Sequence, residues 1–491
     1  MTQPQSDRLD APLLRLLGVM VLGGVMSYFD ATIINVSVET LTARFSASLG
    51  TISWVATGYL LAVAVAIPLA GWSVARFGAR RVWLTALTLF LVGSALCALA
   101  WDVGSLIAFR VFQGFAGGLL EPIMLTVVAT AAGPGRMGRA MGLLSIPITL
   151  GPVLGPIIGG LILQNLTWQW IFLVNVPIAL LAIVLALVVL KDERPAPGSA
   201  PPLDLRGVAL LSPGFAALIY ALSQAGTAGF GATRVVVGIA LGVLLIGAYV
   251  VHALRTAHPL IDLRLFASRG FSSSVVTMFL LGSMLFSLLF LLPLFYQQVR
   301  GESVLAAGLL LMPLGLGTML GMPIAGKLAD TFGPRGLVPT GAVLIGLSAL
   351  VYTGADPGTS QVLLTAAQVV TGFGLGLVGA PTMGAVYRTV PAEAMGGATG
   401  TLFILNQIGA SLGVAVVALI VQSGLTDGRT PADAFDGAFW WTVAGAVVVA
   451  LASLFLPGRP RPTASADTVS TVASGGPADP HERFPTNRST R

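Results

Sequence analysis

Charge is scarce in this chain. Of its 491 residues only 9% are Asp, Glu, Lys or Arg, against 55% hydrophobic. A soluble protein of this length needs far more charge to cover its surface, so the composition excludes a soluble globular class. Cysteine is nearly absent as well. The single Cys97, inside an apolar run, excludes a disulfide framework and any thiolate metal site, and reads as a small packing residue. The three histidines, His252, His258 and His481, fall in or near polar segments and make no metal-ligand set, so neither a metal nor a cofactor is expected. No polar loop is long enough for a catalytic domain, which argues against a membrane enzyme or receptor. The net charge of +6 is scattered among loops, so nucleic acid is not an expected partner.

What the chain has in abundance is long apolar runs. Stretches of about 18–25 apolar residues, broken by short polar segments, give fourteen candidate membrane-spanning helices. The first, 13–38, is too long for the core of a signal peptide and reads as a spanning helix. The lipid bilayer is therefore the expected surrounding. The basic residues test the topology. With both termini in the cytoplasm, only Arg44, Arg234, Arg300 and Arg429 fall outside and Arg110 lies within a span. The other 21 of the 26 Lys and Arg are cytoplasmic. That asymmetry points to a multi-pass protein of the inner (cytoplasmic) membrane.

A repeat divides the chain. "GWSVARFGARR" at 71–81 follows the second helix and "GKLADTFGPRG" at 326–336 follows the tenth, sharing the first Gly, a Phe-Gly pair and an Arg. The expected organisation is a cytoplasmic N-terminus over 1–12, a six-helix bundle over 13–190, and a linker with two inserted helices over 191–270. A second six-helix bundle follows over 271–456, and then a disordered cytoplasmic tail over 457–491. Two such halves facing each other across a central site is an architecture of transporters, whose partners are small-molecule substrates and coupling ions.

Three intramembrane charges stand out, because an ionisable group in an apolar helix is costly unless it is paired, wetted or protonated. Asp30 sits in "GGVMSYFDATIINVSV" of the first helix. Arg110 and Glu121 sit in "LIAFRVFQGFAGGLLEP" of the fourth. At about 100° per residue, Gly114, Gly117 and Glu121 fall within about 40° of Arg110, with Gln113 at the edge of that stripe. Counting inward at about 1.5 Å per residue, Asp30 and Arg110 lie at similar depth, roughly 12 and 9 Å below the outer helix ends. The sequence therefore predicts that they pair across a water-accessible cavity, either as a proton-binding couple or as a static ion pair. Glu121, deeper and just before Pro122, reads as a second proton site, a counter-charge for a cationic substrate, or a hydrogen-bonded helix-end residue. Candidate substrate contacts are Asn35, Gln113, Asn406 and Gln407 as polar groups on long helices, with Phe286, Phe290 and Tyr296 as aromatic walls.

In "GPVLGPIIGG" of the fifth helix, Gly151, Gly155 and Gly159 share one face, while Pro152 and Pro156 loosen the backbone. The combination suits a surface that slides against the other half, or one that packs tightly against a neighbour. In the paired loops, Gly71, Gly78, Gly326 and Gly333 allow tight turns. Arg76, Arg80, Arg81, Asp330 and Arg335 supply charges that can meet helix ends.

Together these stretches resemble the major facilitator superfamily, and within it the fourteen-helix drug:proton antiporter branch. "FDATIINVSVETL" is similar to that branch's first-helix motif through Asp30, Thr32 and Asn35, with Glu39 where a proline is usual. "RVFQG" is similar to the fourth-helix motif, and "GPVLGPIIGG" to the antiporter motif of the fifth. "WQWIFLVNVP" resembles the run opening the sixth helix, and "LNQIGASLGVAV" a thirteenth-helix segment. The first loop motif departs from the pattern, with Ala75 in place of an acid, whereas Asp330 keeps it in the second copy. The resemblance implies proton-coupled export of amphipathic, often cationic, small molecules. An exporter dedicated to one metabolite, antibiotic or lipid, or an uptake symporter, would use the same scaffold, and a periplasmic partner is left unknown.

Overall fold

The computed structural model describes residues 10–132, 151, 154–191, 202–257, 259–261, 263–390 and 395–456. Apart from short turns, all regular structure among them is helical. In chain order the helices are α1 (Ala11–Ile33), α2 (Val38–Phe45), α3 (Leu49–Phe77), α4 (Ala79–Ala98), α5 (Val103–Ala132), α6 (Leu154–Asn165), α7 (Trp170–Leu173) and α8 (Asn175–Val189). They continue with α9 (Leu205–Ala228), α10 (Thr233–Arg255), α11 (Arg269–Gln298), α12 (Val304–Leu309), α13 (Met312–Phe332), α14 (Pro334–Ala349), α15 (Gln361–Thr389), α16 (Met395–Thr426) and α17 (Pro431–Ser453). Twelve helical stretches among the described residues are long and apolar enough to cross a membrane. The expected fifth span, 138–163, lies largely outside the described residues, as do Pro152, the segment 192–201 and the tail from 457. The expected eleventh is α14, only 16 residues long.

Three expected spans are broken, each for a local reason. The first gives way at Ile34–Ser37 to a 3-10 turn before α2. A β-branched run, Thr32 to Ile34 and Val36, crowds the helix there, and the Ser37 hydroxyl donates to the Ile34 carbonyl at 2.7 Å. The sixth span breaks between α7 and α8 and the tenth between α12 and α13. Pro177 and Pro313 clash with the carbonyls four residues back, at Leu173 and Leu309, the last residues of α7 and α12. Pro122, Pro293 and Pro323 stay inside continuous helices, where packed neighbours compensate the freed carbonyl.

The packing is repeated. In the first half α5 contacts α1, α3 and α4, and α8 contacts α1 and α4. In the second half α15 contacts α11, α13 and α14, and α17 contacts α11 and α14. The two Phe-Gly turns are equivalent: Gly78 (φ 86°) joins α3 to α4 and Gly333 (φ 71°) joins α13 to α14. Both have extended ψ, a combination open essentially only to glycine. Arg80, just past the first turn, donates to the Leu187 carbonyl at 2.9 Å and so satisfies the C-terminal end of α8 in its own half, not across the halves. Arg76 and Arg335 are exposed, Asp330 lies in the last turn of α13, and Gly71 and Gly326 are interior helix positions.

The two halves meet at α3 and α16, where the Ser411 hydroxyl donates to the Thr57 carbonyl at 3.1 Å and Leu49 N donates to Gln422 Oε1 at 3.0 Å. The glycine stripe of α6 faces α1, within its own half. A Cβ at Gly151 would stand 3.0 Å from Tyr28 Cβ, and one at Gly159 would stand 2.7 Å from Val36 Cγ2. The Thr32 hydroxyl donates to the Gly151 carbonyl at 3.3 Å. On the opposite side Pro156 and Gly160 touch α12, at Gly308 and Leu305. α6 is thus a thin spacer between the α1 break and the second half.

The inserted pair packs as α9 on α10, with α9 also against α3 and α16. Asp204 ties this pair together. Its carboxylate caps α9 through Gly207 N (2.8 Å), accepts from Leu260 N (3.1 Å) and pairs with His252 Nε2 (2.7 Å). Burial alone would raise this carboxyl, but the bonds from His252, Gly207 and Leu260 outweigh it and hold it below the usual carboxylate range. A depressed carboxyl contributes stability above its unfolded value and loses it as pH falls through the folded one. The Asp204 contribution should therefore be present at neutral pH, begin to fall below about pH 4, and be lost once pH drops through the folded value. Asp204→Asn should destabilise the protein by about 1–2 kcal/mol in detergent at pH 7, read as a lowered melting temperature, and the difference from the parent should close in acid. In the same assay Gly78→Ala should destabilise by about 1–3 kcal/mol. Gly247→Ala, in α10 where an added Cβ meets nothing within 4 Å, should be neutral or stabilising by up to about 1 kcal/mol.

Candidate functional site

Four helices of the first half converge on Asp30. Arg110 Nη1 on α5 makes an ion pair with its Oδ2, both side chains fully buried. Its Oδ1 accepts from Gln113 Nε2 at 3.1 Å and from Asn175 Nδ2, on α8, at 2.6 Å. Arg110 is itself held by the Val55 carbonyl at 3.1 Å and by Gln113 Oε1 at 2.8 Å. Gln113 completes the circuit by donating to Ser94 Oγ on α4 at 2.8 Å, with Cys97 Sγ 3.5 Å from its Oε1. A buried ion pair is tolerable only if its remaining donors and acceptors are also satisfied. Here nearly all are. Arg110 Nη2 and Asn175 Oδ1 are left without a hydrogen-bond partner among the described residues.

Glycine makes this convergence feasible. A Cβ at Gly93 would stand 2.9 Å from Gln113 Cα, so α4 comes close enough for Gln113 to reach Ser94. On α5, Gly114 lies against the Tyr59 backbone, Gly117 against the Tyr59 hydroxyl and Gly118 against the Val63 backbone. These contacts seat Tyr59 over the charge pair, its ring centre 4.1 Å from the Arg110 guanidinium carbon. Phe172 covers the guanidinium at 5.8 Å.

On the other side of Tyr59 lies a cavity of about 430 Å³ between the halves. The first half contributes Ser27, Tyr28, Thr32, Tyr59 and Glu121, all with a polar group, beside Ala31, Val63 and Gly117. The second contributes mainly apolar groups, including Leu281, Phe286, Leu314, Met322 and Phe403, with Thr318, Asn406 and Gln407. The Tyr28 hydroxyl donates to Glu121, which is the cavity's only carboxylate among the described residues.

The depth comparison made from the sequence therefore brings Asp30 and Arg110 together, but not across a cavity: neither lines it, because Tyr59 stands between. Of the candidate substrate contacts, Phe286, Asn406 and Gln407 line the cavity, and Asn406 also donates to the Met278 carbonyl at 2.7 Å. Four others are placed elsewhere. Gln113 belongs to the Asp30 network. Asn35 is buried in the 3-10 turn. Phe290 is fully buried, a few residues past Phe286 on α11. Tyr296 packs edge-on against Phe295, and its hydroxyl accepts from Gln368 Nε2 at 2.9 Å.

Gln368 has a meaning of its own. Aligned without gaps, "RVFQGFAGG" at 110–118 and "QVVTGFGLG" at 368–376 place Gln368 opposite Arg110 and Thr371 opposite Gln113. Thr371 bonds Ser348 of α14 at 2.6 Å, as Gln113 bonds Ser94 of α4. The second half thus repeats the polar network without its charges. Sequence reasoning missed Asn175, Ser94, Tyr28 and Tyr59. An isolated Asn in the apolar sixth span was the available signal for the first. The two tyrosines carried none, since an aromatic residue in an apolar helix is ordinary.

A family model described as Major Facilitator Superfamily matches residues 20–414. The Multidrug resistance protein B homolog of Mycobacterium tuberculosis (strain ATCC 25618 / H37Rv) is 40% identical over 419 residues, 84% of this chain and 77% of that protein. The Tetracenomycin C resistance and export protein of Streptomyces glaucescens is 32% identical over 424 residues, 86% of this chain and 78% of that protein. Among solved structures, that of a D-xylose-proton symporter matches with a TM-score of 0.67 over 91% of this chain and 98% of the other, at 16% identity, a likeness of fold alone. The repeated six-helix packing, the central cavity and these matches agree: the chain is a multi-pass membrane protein belonging to the major facilitator superfamily of transporters.

Proposed function

We propose that this protein is a proton-coupled antiporter of the inner membrane that exports amphipathic, lipophilic or cationic compounds by alternating access. The carrying observation is the fully buried Asp30–Arg110 pair set one side chain away from a largely apolar cavity with a single carboxylate, Glu121, among the described residues. A buried acid whose partner can be loosened binds a proton; the same acid gripped by a guanidinium releases it. Asp30 is the coupling site in this reading. Glu121, tied to Tyr28, serves either as a second proton site or as the counter-charge for a cation. The cavity supplies an apolar wall from one half and polar groups from the other, which suits an amphipathic molecule.

Export, inner-membrane residence and cytoplasmic termini rest on the charge asymmetry of the loops and the α6 motif, and on relatives whose names denote drug resistance and export. The halves 13–190 and 271–456 are the moving units, with α6 as the thin joint beside the α1 break. A membrane potential contributes about 2.3 kcal/mol per charge per 100 mV, close to fifty-fold accumulation per uncompensated charge. That is ample for useful export without a metal, a cofactor or enzymatic turnover.

In reconstituted vesicles with an imposed pH gradient, Asp30→Asn should abolish gradient-driven efflux; transport at the parental rate would refute the coupling role. Arg110→Ala should impair efflux severely and cost about 3–5 kcal/mol of stability, because it strands a buried carboxylate. A second reading, an exporter dedicated to one compound, draws on the relative named for tetracenomycin C alone. Expression in an efflux-deficient host separates the two. Several tolerances rising together support broad efflux, whereas a single raised tolerance supports the dedicated exporter.

A further inference from the structure

Among the described residues, Tyr59 is the one side chain that belongs to both parts of the site. It lines the cavity, and its ring lies on the Arg110 guanidinium that grips Asp30. It is also closely held. Its hydroxyl donates to the Ser27 carbonyl at 3.1 Å. A Cβ at Gly117 would stand 2.6 Å from that hydroxyl oxygen and 3.3 Å from Phe90 Cε2, and Gly114 lies against the Tyr59 backbone. With α5 behind the ring, the nearly buried side chain borders the cavity on its other side.

We infer that Tyr59 is the positioning residue that makes cavity occupancy and protonation of Asp30 mutually exclusive. A molecule in the cavity keeps the ring pressed on the guanidinium, which keeps Arg110 aimed at Asp30 and favours the carboxylate, so the proton leaves to solvent. With the cavity empty the ring has room to swing out, Arg110 loosens its grip, and Asp30 takes up a proton. The effect is reciprocal by linkage: protonating Asp30 weakens substrate binding by the same factor. The titratable and charged groups facing Asp30 are Arg110 from α5 and Tyr59 from α3, with Cys97 of α4 reached through Gln113. Its α8 partner, Asn175, is neutral, and Tyr28 and Glu121 lie on the cavity side of Tyr59. The inference rests on Asp30 being the proton site, as proposed above.

The test is proton release on binding, read with a pH indicator in weak buffer, on the purified full-length protein with tetraphenylphosphonium as probe. The parent should release protons as the probe binds. At probe concentrations that saturate each protein, Tyr59→Leu should release no more than about a tenth of the protons that the parent releases per probe bound. Gly117→Ala, whose methyl displaces the hydroxyl, should show the same loss. Adding Tyr59→Phe to Gly117→Ala should restore release, because the space the methyl needs is then free; a merely structural defect would not be rescued in this way. Parental release by Tyr59→Leu or by Gly117→Ala, an unrescued double variant, or a parent that releases nothing overturns the inference. Should Tyr59→Leu not fold, the Gly117→Ala pair decides alone. Asp30→Asn separates the two levels: release by Asp30→Asn at the parental level sinks the proton-site reading itself. A silent Asp30→Asn beside a normal Tyr59→Leu sinks only the role of Tyr59.

Discussion

A carboxylate and a guanidinium facing each other without water is the arrangement around which the first half is built. Desolvating two charges costs several kcal/mol each, and their mutual attraction repays this only when the leftover lone pairs and N–H groups are also met. Asp30 and Arg110 therefore recruit Gln113, Asn175, Ser94 and the Val55 carbonyl from four helices. The helix contacts, the glycines at 93, 114 and 117, and the Tyr59 lid all follow from bringing these groups within reach of one acid.

The second half shows what the same framework looks like without that demand. Gln368 replaces the arginine and bonds the Tyr296 hydroxyl, while Ser348 and Thr371 reproduce the small polar contact between α14 and α15. An aromatic cluster of Phe295, Tyr352, Phe435 and Phe439 fills the surrounding volume. The cavity walls follow a similar division: the second half lines it mainly with apolar groups such as Leu281, Phe286 and Met322, while the first brings Tyr28, Tyr59 and Glu121. Among the described residues, the fully buried ion pair is confined to the first half. That division of labour is a physical reason for a repeat to diverge, because each additional buried pair adds a desolvation penalty.

Much of this was legible beforehand. The long apolar runs, the repeated Phe-Gly turn and the scarcity of charge indicated a helical membrane protein in two halves, because a bilayer tolerates little else. Helical periodicity placed Arg110, Gln113, Gly114 and Gly117 together, and depth counting matched Arg110 to Asp30. The breaks at Leu173 and Leu309 were readable from Pro177 and Pro313 only by knowing which prolines find compensating neighbours, since Pro122 and Pro293 leave their helices intact. Tyr296 and Phe290 looked like pathway walls because aromatic residues on a long helix carry no mark of which face they occupy.

By itself, the sequence determined the helical class, the repeat, the rare intramembrane charges and their common depth. These depend on local composition and on the fixed rise and twist of a helix. Only the tertiary structure decided that Asp30 and Arg110 meet behind Tyr59 rather than across a cavity. It also decided that Asn175 joins them from α8, that Glu121 and Tyr28 belong to the cavity, and that α6 packs its glycines on α1. Which helix faces which is set by the sum of many weak contacts between segments far apart in the chain, and no single stretch of residues records that sum.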